Sequence, residues 1–113
     1  RKAIRLLDLR GSIIANAKFT NTQVQTAYFD NAKISGTDFT GSQFDSSSFD
    51  NASITSSTFA QAVLHAAGYQ TSFAAATISG TGFTDTDLSN TNFTQSNIGG
   101  LTTFTGGSLA GAA

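Results

Sequence analysis

The chain holds a single histidine, His65, the natural place to look for general acid–base chemistry. An imidazole acts as a base when a second group orients it and a nucleophile or substrate proton lies within reach. Asp45 stands twenty residues before His65, and Thr84 nineteen residues after it. If the chain repeats about every twenty residues, Asp45, His65 and Thr84 form one column. His65 follows Leu64, which the repeat described below places in the core, so the imidazole should point outward. A convex, solvated face with no pocket and no oxyanion donors does not shelter a reacting group. The sequence therefore predicts a solvated column and no enzyme.

Other residues raise other chemistry. Asp30-Asn31 and Asp50-Asn51 share the same twenty-residue spacing. They predict two exposed carboxylates one rung apart, which repel. A weak cation, a partner's basic group or plain solvent screening would each relieve that. No Cys is present, so no thiolate metal site, disulfide or Cys nucleophile exists. No phosphate loop and no metal-ligand spacing occurs either. Neither cofactor nor metal is expected.

Every candidate above depends on a repeat, and the composition alone gives little sign of one. Ser and Thr number 31, Asn and Gln 13, and Gly 11, a composition close to low complexity. Spacing reverses that impression. From Ile4 every fifth residue is large and apolar: Ile4, Leu9, Ile14, Phe19, Val24, Phe29, Ile34, Phe39, Phe44, Phe49, Ile54, Phe59, Leu64 and Tyr69. After a four-residue step the series resumes at Phe73, Ile78, Phe83, Leu88, Phe93 and Ile98. A six-residue step leads to Phe104 and Leu109. From Ser12 on, the residue two before each centre is small. A period of five fits neither a helix nor a plain strand. It requires a chain that turns a corner every five residues, with one large and one small side chain pointing inward. All centres are expected to be buried. Counting twenty residues per coil across the first slip places Phe73 and Phe93 over Ile14, Ile34 and Ile54. The same count places Ile78 and Ile98 over Phe19, Phe39 and Phe59. Gly68 and Gly99-Gly100 mark the two slips as local bulges or altered corners.

Ala32-Lys33-Ile34-Ser35-Gly36, Thr37-Asp38-Phe39-Thr40-Gly41 and Thr91-Asn92-Phe93-Thr94-Gln95 match the pattern A-(D/N)-(L/F)-x-x. The chain thus resembles the pentapeptide-repeat family from about residue 12 onward. The resemblance implies an all-β fold, a right-handed quadrilateral β-helix of about five coils with four pentapeptides each. Within that span Asp or Asn before the centre is kept only in part, at Asp38, Asp87, Asn92 and Asn97, which weakens any transfer of a subfamily's function.

The N-terminal residues read differently. Leu6, Leu7 and Ile13 lie off the register of centres, and Lys2 and Leu7 break the small-residue rule. Residues 1–11 are expected as a cap or a first irregular coil, with a short helix over 1–10 as one alternative. Residues 12–113 form the β-helix. Charge is split along the chain. All six cations lie in the first 33 residues, where the net charge is +4, and the remainder carries −5. The total of −1 argues against a nucleic-acid or membrane-surface partner. No apolar run approaches the roughly 18 residues of a membrane helix. The absence of Glu, Met, Cys and Trp leans towards an exported or cell-surface location.

Three functions compete. One is a non-catalytic scaffold or protein-interaction module, binding an unidentified protein or another copy of itself. An end-to-end contact would join Arg5, Leu6, Leu7, Arg10 and Ile13 at one end to Leu101 and Leu109 at the other. The second is implied by the family resemblance: an acidic β-helix that mimics DNA and protects a type II topoisomerase. Seven Asp, no Glu and a basic end fit it poorly. The third is ice or surface binding, for which the outward Thr residues look too interrupted.

Overall fold

The computed structural model describes residues 4–64 and 70–111, and every regular element among them is a β-strand. Strands β1 (Ile4–Asp8), β3 (Gln23–Tyr28) and β5 (Gln43–Ser48) form one parallel sheet. Strands β2 (Ile13–Ala15), β4 (Lys33–Ser35), β6 (Ser53–Thr55), β7 (Thr77–Ser79) and β8 (Asn97–Gly99) form a second, in that order. Parallel bridges through Lys18, Asp38, Thr58, Gly82 and Thr103 make another side, and those through Ser48, Ser72 and Asn92 complete the square. The chain winds past these four sides in turn, about five times.

Each side buries one column of centres. On the first side Ile4, Val24, Phe44, Leu64, Leu88 and Leu109 succeed one another. The second holds Leu9, Phe29, Phe49, Phe73 and Phe93. The third holds Ile14, Ile34, Ile54, Ile78 and Ile98. The fourth holds Phe19, Phe39, Phe59, Phe83 and Phe104. Rings within a column stack nearly parallel, as in Phe39 on Phe59 at 4.5 Å and Phe29 on Phe49 at 4.7 Å. Rings of adjacent columns meet edge to face, such as Phe49 and Phe59 at 5.7 Å and 82°. Both arrangements suit the ring quadrupole.

The corners explain the period of five. The carbonyl of a centre accepts a hydrogen bond from the small residue three positions on, as in Ala32 N–H to Phe29 O at 3.0 Å. The middle of that turn has positive φ, 62° at Asn31 and 69° at Gly41. This is a type II turn, which favours Gly or Asn there. At Gly41 the lack of a side chain also has a steric use: a Cβ there would strike the Asn21 side-chain oxygen one coil below. In the first three coils the corner between the first and second sides is instead crossed by continuous strand, in β1, β3 and β5.

The structure corrects the expected columns beyond the first slip. Ile54 pairs with Ile78, and Phe59 stacks on Phe83. Phe73 and Phe93 continue the Phe49 column, so no exchange of Ile and Phe between sides occurs. The step is an insertion of four residues between Leu64 and Phe73, rather than a deletion of one. Like residues stay on like, which keeps the ladders and the core volume intact. Tyr69, Gly68 and His65 lie outside the described residues. The second slip is a one-residue excess ahead of Phe104, beside Gly100 at φ 63°.

Burial of every centre does not hold at the ends. Phe29, Phe39, Phe44, Phe49, Ile54, Phe59 and Phe73 are fully buried, and Ile34 and Phe83 are 1% exposed. Phe19 and Phe93 are half-buried, and Ile4, Ile98 and Leu109 are 41%, 37% and 49% exposed. An end coil has a neighbour on one side only. The short helix considered over residues 1–10 is also absent, since Ile4–Asp8 forms β1 and pairs in parallel with β3. An isolated helix of that length is marginal in water, whereas pairing on a preformed edge supplies a full ladder.

The small inward column holds several buried hydroxyls, and they are not equivalent. Ser57 Oγ donates to Thr55 O at 2.9 Å and accepts the Thr37 N–H at 3.1 Å. Ser42 Oγ is buried with no partner among the described residues. Ser57→Ala is therefore expected to cost about 1–3 kcal/mol, because it strands a buried N–H. Ser42→Ala is expected to be neutral or slightly stabilising. Urea unfolding of the two variants side by side checks the contrast.

Candidate functional site

The residues proposed for acid–base chemistry do not converge. Asp45 follows Phe44 on the first side, whereas Thr84 follows Phe83 on the fourth. The inserted residues put them in different columns, and His65 lies outside the described residues. Asp45 accepts a hydrogen bond from Gln43 Nε2 at 3.3 Å. Asp30 and Asp50 do share a column, but both are half-buried rather than exposed. The Asp50 carboxylate turns along the surface to accept from the Ser72 hydroxyl and from the Ala74 N–H. Among the described residues no group of His, Cys, Asp or Glu is arranged to hold a metal ion. Among the described residues no helix is long and apolar enough to cross a membrane.

Asp8 and Asp38 have pKa values lowered by local bonds. Arg10 grips Asp8 with Nε at 2.8 Å and Nη2 at 2.6 Å, and its hydrogen bonds hold the carboxyl below the usual range. The same guanidinium lies over the Tyr28 ring at 5.2 Å. Asp38 is lowered by the Thr40 hydroxyl, then by the Thr40 N–H at 2.9 Å, with Lys18 one rung away adding to both. A carboxyl lowered on folding stabilises above its unfolded pKa, near 4, and that contribution disappears as pH falls through the folded value. Asp38→Asn removes the ionised form and is thus expected to flatten the acid-side fall by lowering the melting temperature at pH 7, with little change at pH 2. Thermal melts from pH 2 to 7 read this directly.

The outer surface of the fourth side carries Thr20, Thr40, Ala60, Thr84 and Thr105 in one column. The adjacent column, Lys18, Asp38, Thr58, Gly82 and Thr103, is charged at one end and mixed throughout. The threonines are thus more aligned than the sequence count suggested, yet they do not form a uniform array.

The largest departures from a closed surface are the two end coils. The outermost centres are Ile4, Leu9, Ile14 and Phe19 at one end and Phe93, Ile98, Phe104 and Leu109 at the other. Leu7 occupies the inward small-residue position opposite Ala27 and packs against the core rim. Leu6 and Ile13 alternate with inward neighbours, so they face sideways, 60% and 80% exposed. Arg5 and Arg10 also lie on the outer sides. Leu101 belongs to the one-residue excess and is 86% exposed, while Leu109 crowns the first-side column. The proposed end residues therefore separate into Leu7 and Leu109 at the axial faces and the others around the rims. Among the end-coil centres, Leu109 alone is one of the end residues that the sequence suggested.

A square of four apolar columns, with the chain turning a corner every five residues, defines a pentapeptide-type β-helix. The family model for pentapeptide repeats matches eight copies over residues 25–61 and 70–100, and the chain belongs to this family. Similar solved structures include a pentapeptide repeat protein from the Arabidopsis thaliana thylakoid lumen. It is 23% identical with a TM-score of 0.49, over 92% of this chain and 66% of that one. HetL from the cyanobacterium Nostoc, involved in regulating heterocyst differentiation, is 12% identical with a TM-score of 0.49, over 85% and 40%. QnrB1, a plasmid-mediated fluoroquinolone resistance protein, is 14% identical with a TM-score of 0.41, over 97% and 73%. The chain spans less than two thirds of the length of the first two. A sequence comparison with curated proteins finds no match.

Proposed function

We propose that this chain is a non-catalytic scaffold whose partner is protein, and that a second copy stacked end to end is that partner. The observation that supports it is the pair of outermost coils among the described residues: β1 and β2 are edge strands at one limit and β8 at the other, and centres such as Ile4 and Ile98 are left partly exposed. Unpaired parallel edges are templates for another chain. Charge disfavours contact between two basic ends, since the +4 segment lies at one end, whereas residues 88–111 carry no charged side chain and repel neither. A head-to-tail contact is heterologous, and where it does not close it grows into a filament.

The resistance activity in QnrB1's description has less support here. Asp8 is paired with Arg10, and the other carboxylates are spread over several columns. Light scattering across a concentration series, with electron microscopy, tests the proposal. Growth in mass with concentration is the expected result. A strictly monomeric chain at high concentration refutes it.

A further inference from the structure

We infer that the β-helix opens along one edge, the corner between its first and second sides, so that water reaches the inward hydroxyls there while the opposite corner stays closed. Opening of this kind occurs within a single chain and is independent of any stacking.

Two opposite corners carry inward hydroxyls at the same place, two residues before a centre, and hold them differently. Between the third and fourth sides stand Thr37, Ser57 and Thr81. Each donates to the carbonyl two residues earlier: Thr37 Oγ1 to Ser35 O at 3.1 Å, Ser57 Oγ to Thr55 O at 2.9 Å and Thr81 Oγ1 to Ser79 O at 3.1 Å. The chain passes through positive φ at Gly36, Ser56 and Gly80, just before each hydroxyl, and the carbonyl ahead of that bend faces it. Between the first and second sides stand Ser47, Thr71 and Thr91. Their hydroxyl oxygens are buried, and none has a partner among the described residues. Ser47 lies within β5, which crosses the corner as continuous strand and gives its carbonyls to the ladders.

In other respects the two corners match. Ser47, Thr71 and Thr91 are 4%, 0% and 0% exposed, and Thr37, Ser57 and Thr81 are 1%, 5% and 0% exposed. The ladder bonds beside them are equally long. Ser72 N–H reaches Ser47 O at 3.0 Å and Asn92 N–H reaches Thr71 O at 2.9 Å. Thr58 N–H to Thr37 O and Gly82 N–H to Ser57 O are both 3.0 Å. What differs is the hydroxyl. A buried hydroxyl without a partner forfeits the bond it makes with water in the unfolded chain. Local opening restores that bond, which favours the open state by roughly tenfold per hydroxyl. At the opposite corner, opening breaks hydroxyl bonds instead. The path for water is also short. A concavity of about 320 Å³, lined by Gln25, Thr26, Asp45 and Ser46, lies on the outer face of this corner, and Ser46 adjoins Ser47 in the chain.

Amide hydrogen exchange reads local opening residue by residue. In the native chain, followed by NMR, Ser72 and Asn92 are expected to be at least about tenfold less protected than Thr58 and Gly82. Two substitutions of equal shape test the cause. Thr71→Val removes an unpartnered hydroxyl, and is expected to raise protection at Ser72 and Asn92 by about tenfold while leaving Thr58 and Gly82 as they were. Thr81→Val removes a bonded hydroxyl, and is expected to lower protection at Gly82. Equal protection at the two corners of the native chain overturns the inference. So does a Thr71→Val chain with lower protection at Asn92, since that hydroxyl would then be bonded in solution. A Thr71→Val chain that shifts all four amides together overturns it too, since they would then open only with the whole fold.

Discussion

Phe49→Ala is expected to lower unfolding stability by about 3–5 kcal/mol, the range for deleting a fully buried ring. Phe49 sits at mid-stack and is fully buried. It stacks on Phe29 and on Phe73, each at 4.7 Å, and meets Phe39 and Phe59 edge to face. Removing it opens a cavity between two coils that backbone ladders hold at fixed spacing, so collapse is restricted. Gln43→Ala is the matched control, because Gln43 is exposed one position before the buried centre Phe44. Its expected cost is within about 0.5 kcal/mol. Urea denaturation of both variants separates them. Similar losses at the two sites would mean that the inward register is wrong.

That register was legible because a five-residue period repeated with large residues has one physical solution. The small residue two before each centre gave the corner, and both predictions meet in turns such as Phe29-Asp30-Asn31-Ala32. The columns beyond Leu64 were not legible, for an arithmetical reason. Deleting one residue and inserting four leave the same phase in a period of five. The ladders decide between them: Ile54 pairs with Ile78, and Phe49 stacks on Phe73. The error carried straight into the candidate site, since it alone placed Thr84 in the column of Asp45. The first residues misled differently. Leu6 and Leu7 look like surplus apolar surface in need of a helix. On β1 they alternate, Leu7 over the core rim and Leu6 on the outer face.

Removing residues 1–8 is expected to leave the remaining coils folded. Ile4 is 41% exposed, so little of the core depends on the strand that holds it. The same residues carry β1, an edge strand among the described residues and part of the proposed end-to-end contact. Growth of mass with concentration is therefore expected to fall while β-sheet circular dichroism is retained. A folded, shortened chain that assembles as the full chain does would show that β1 takes no part in the contact.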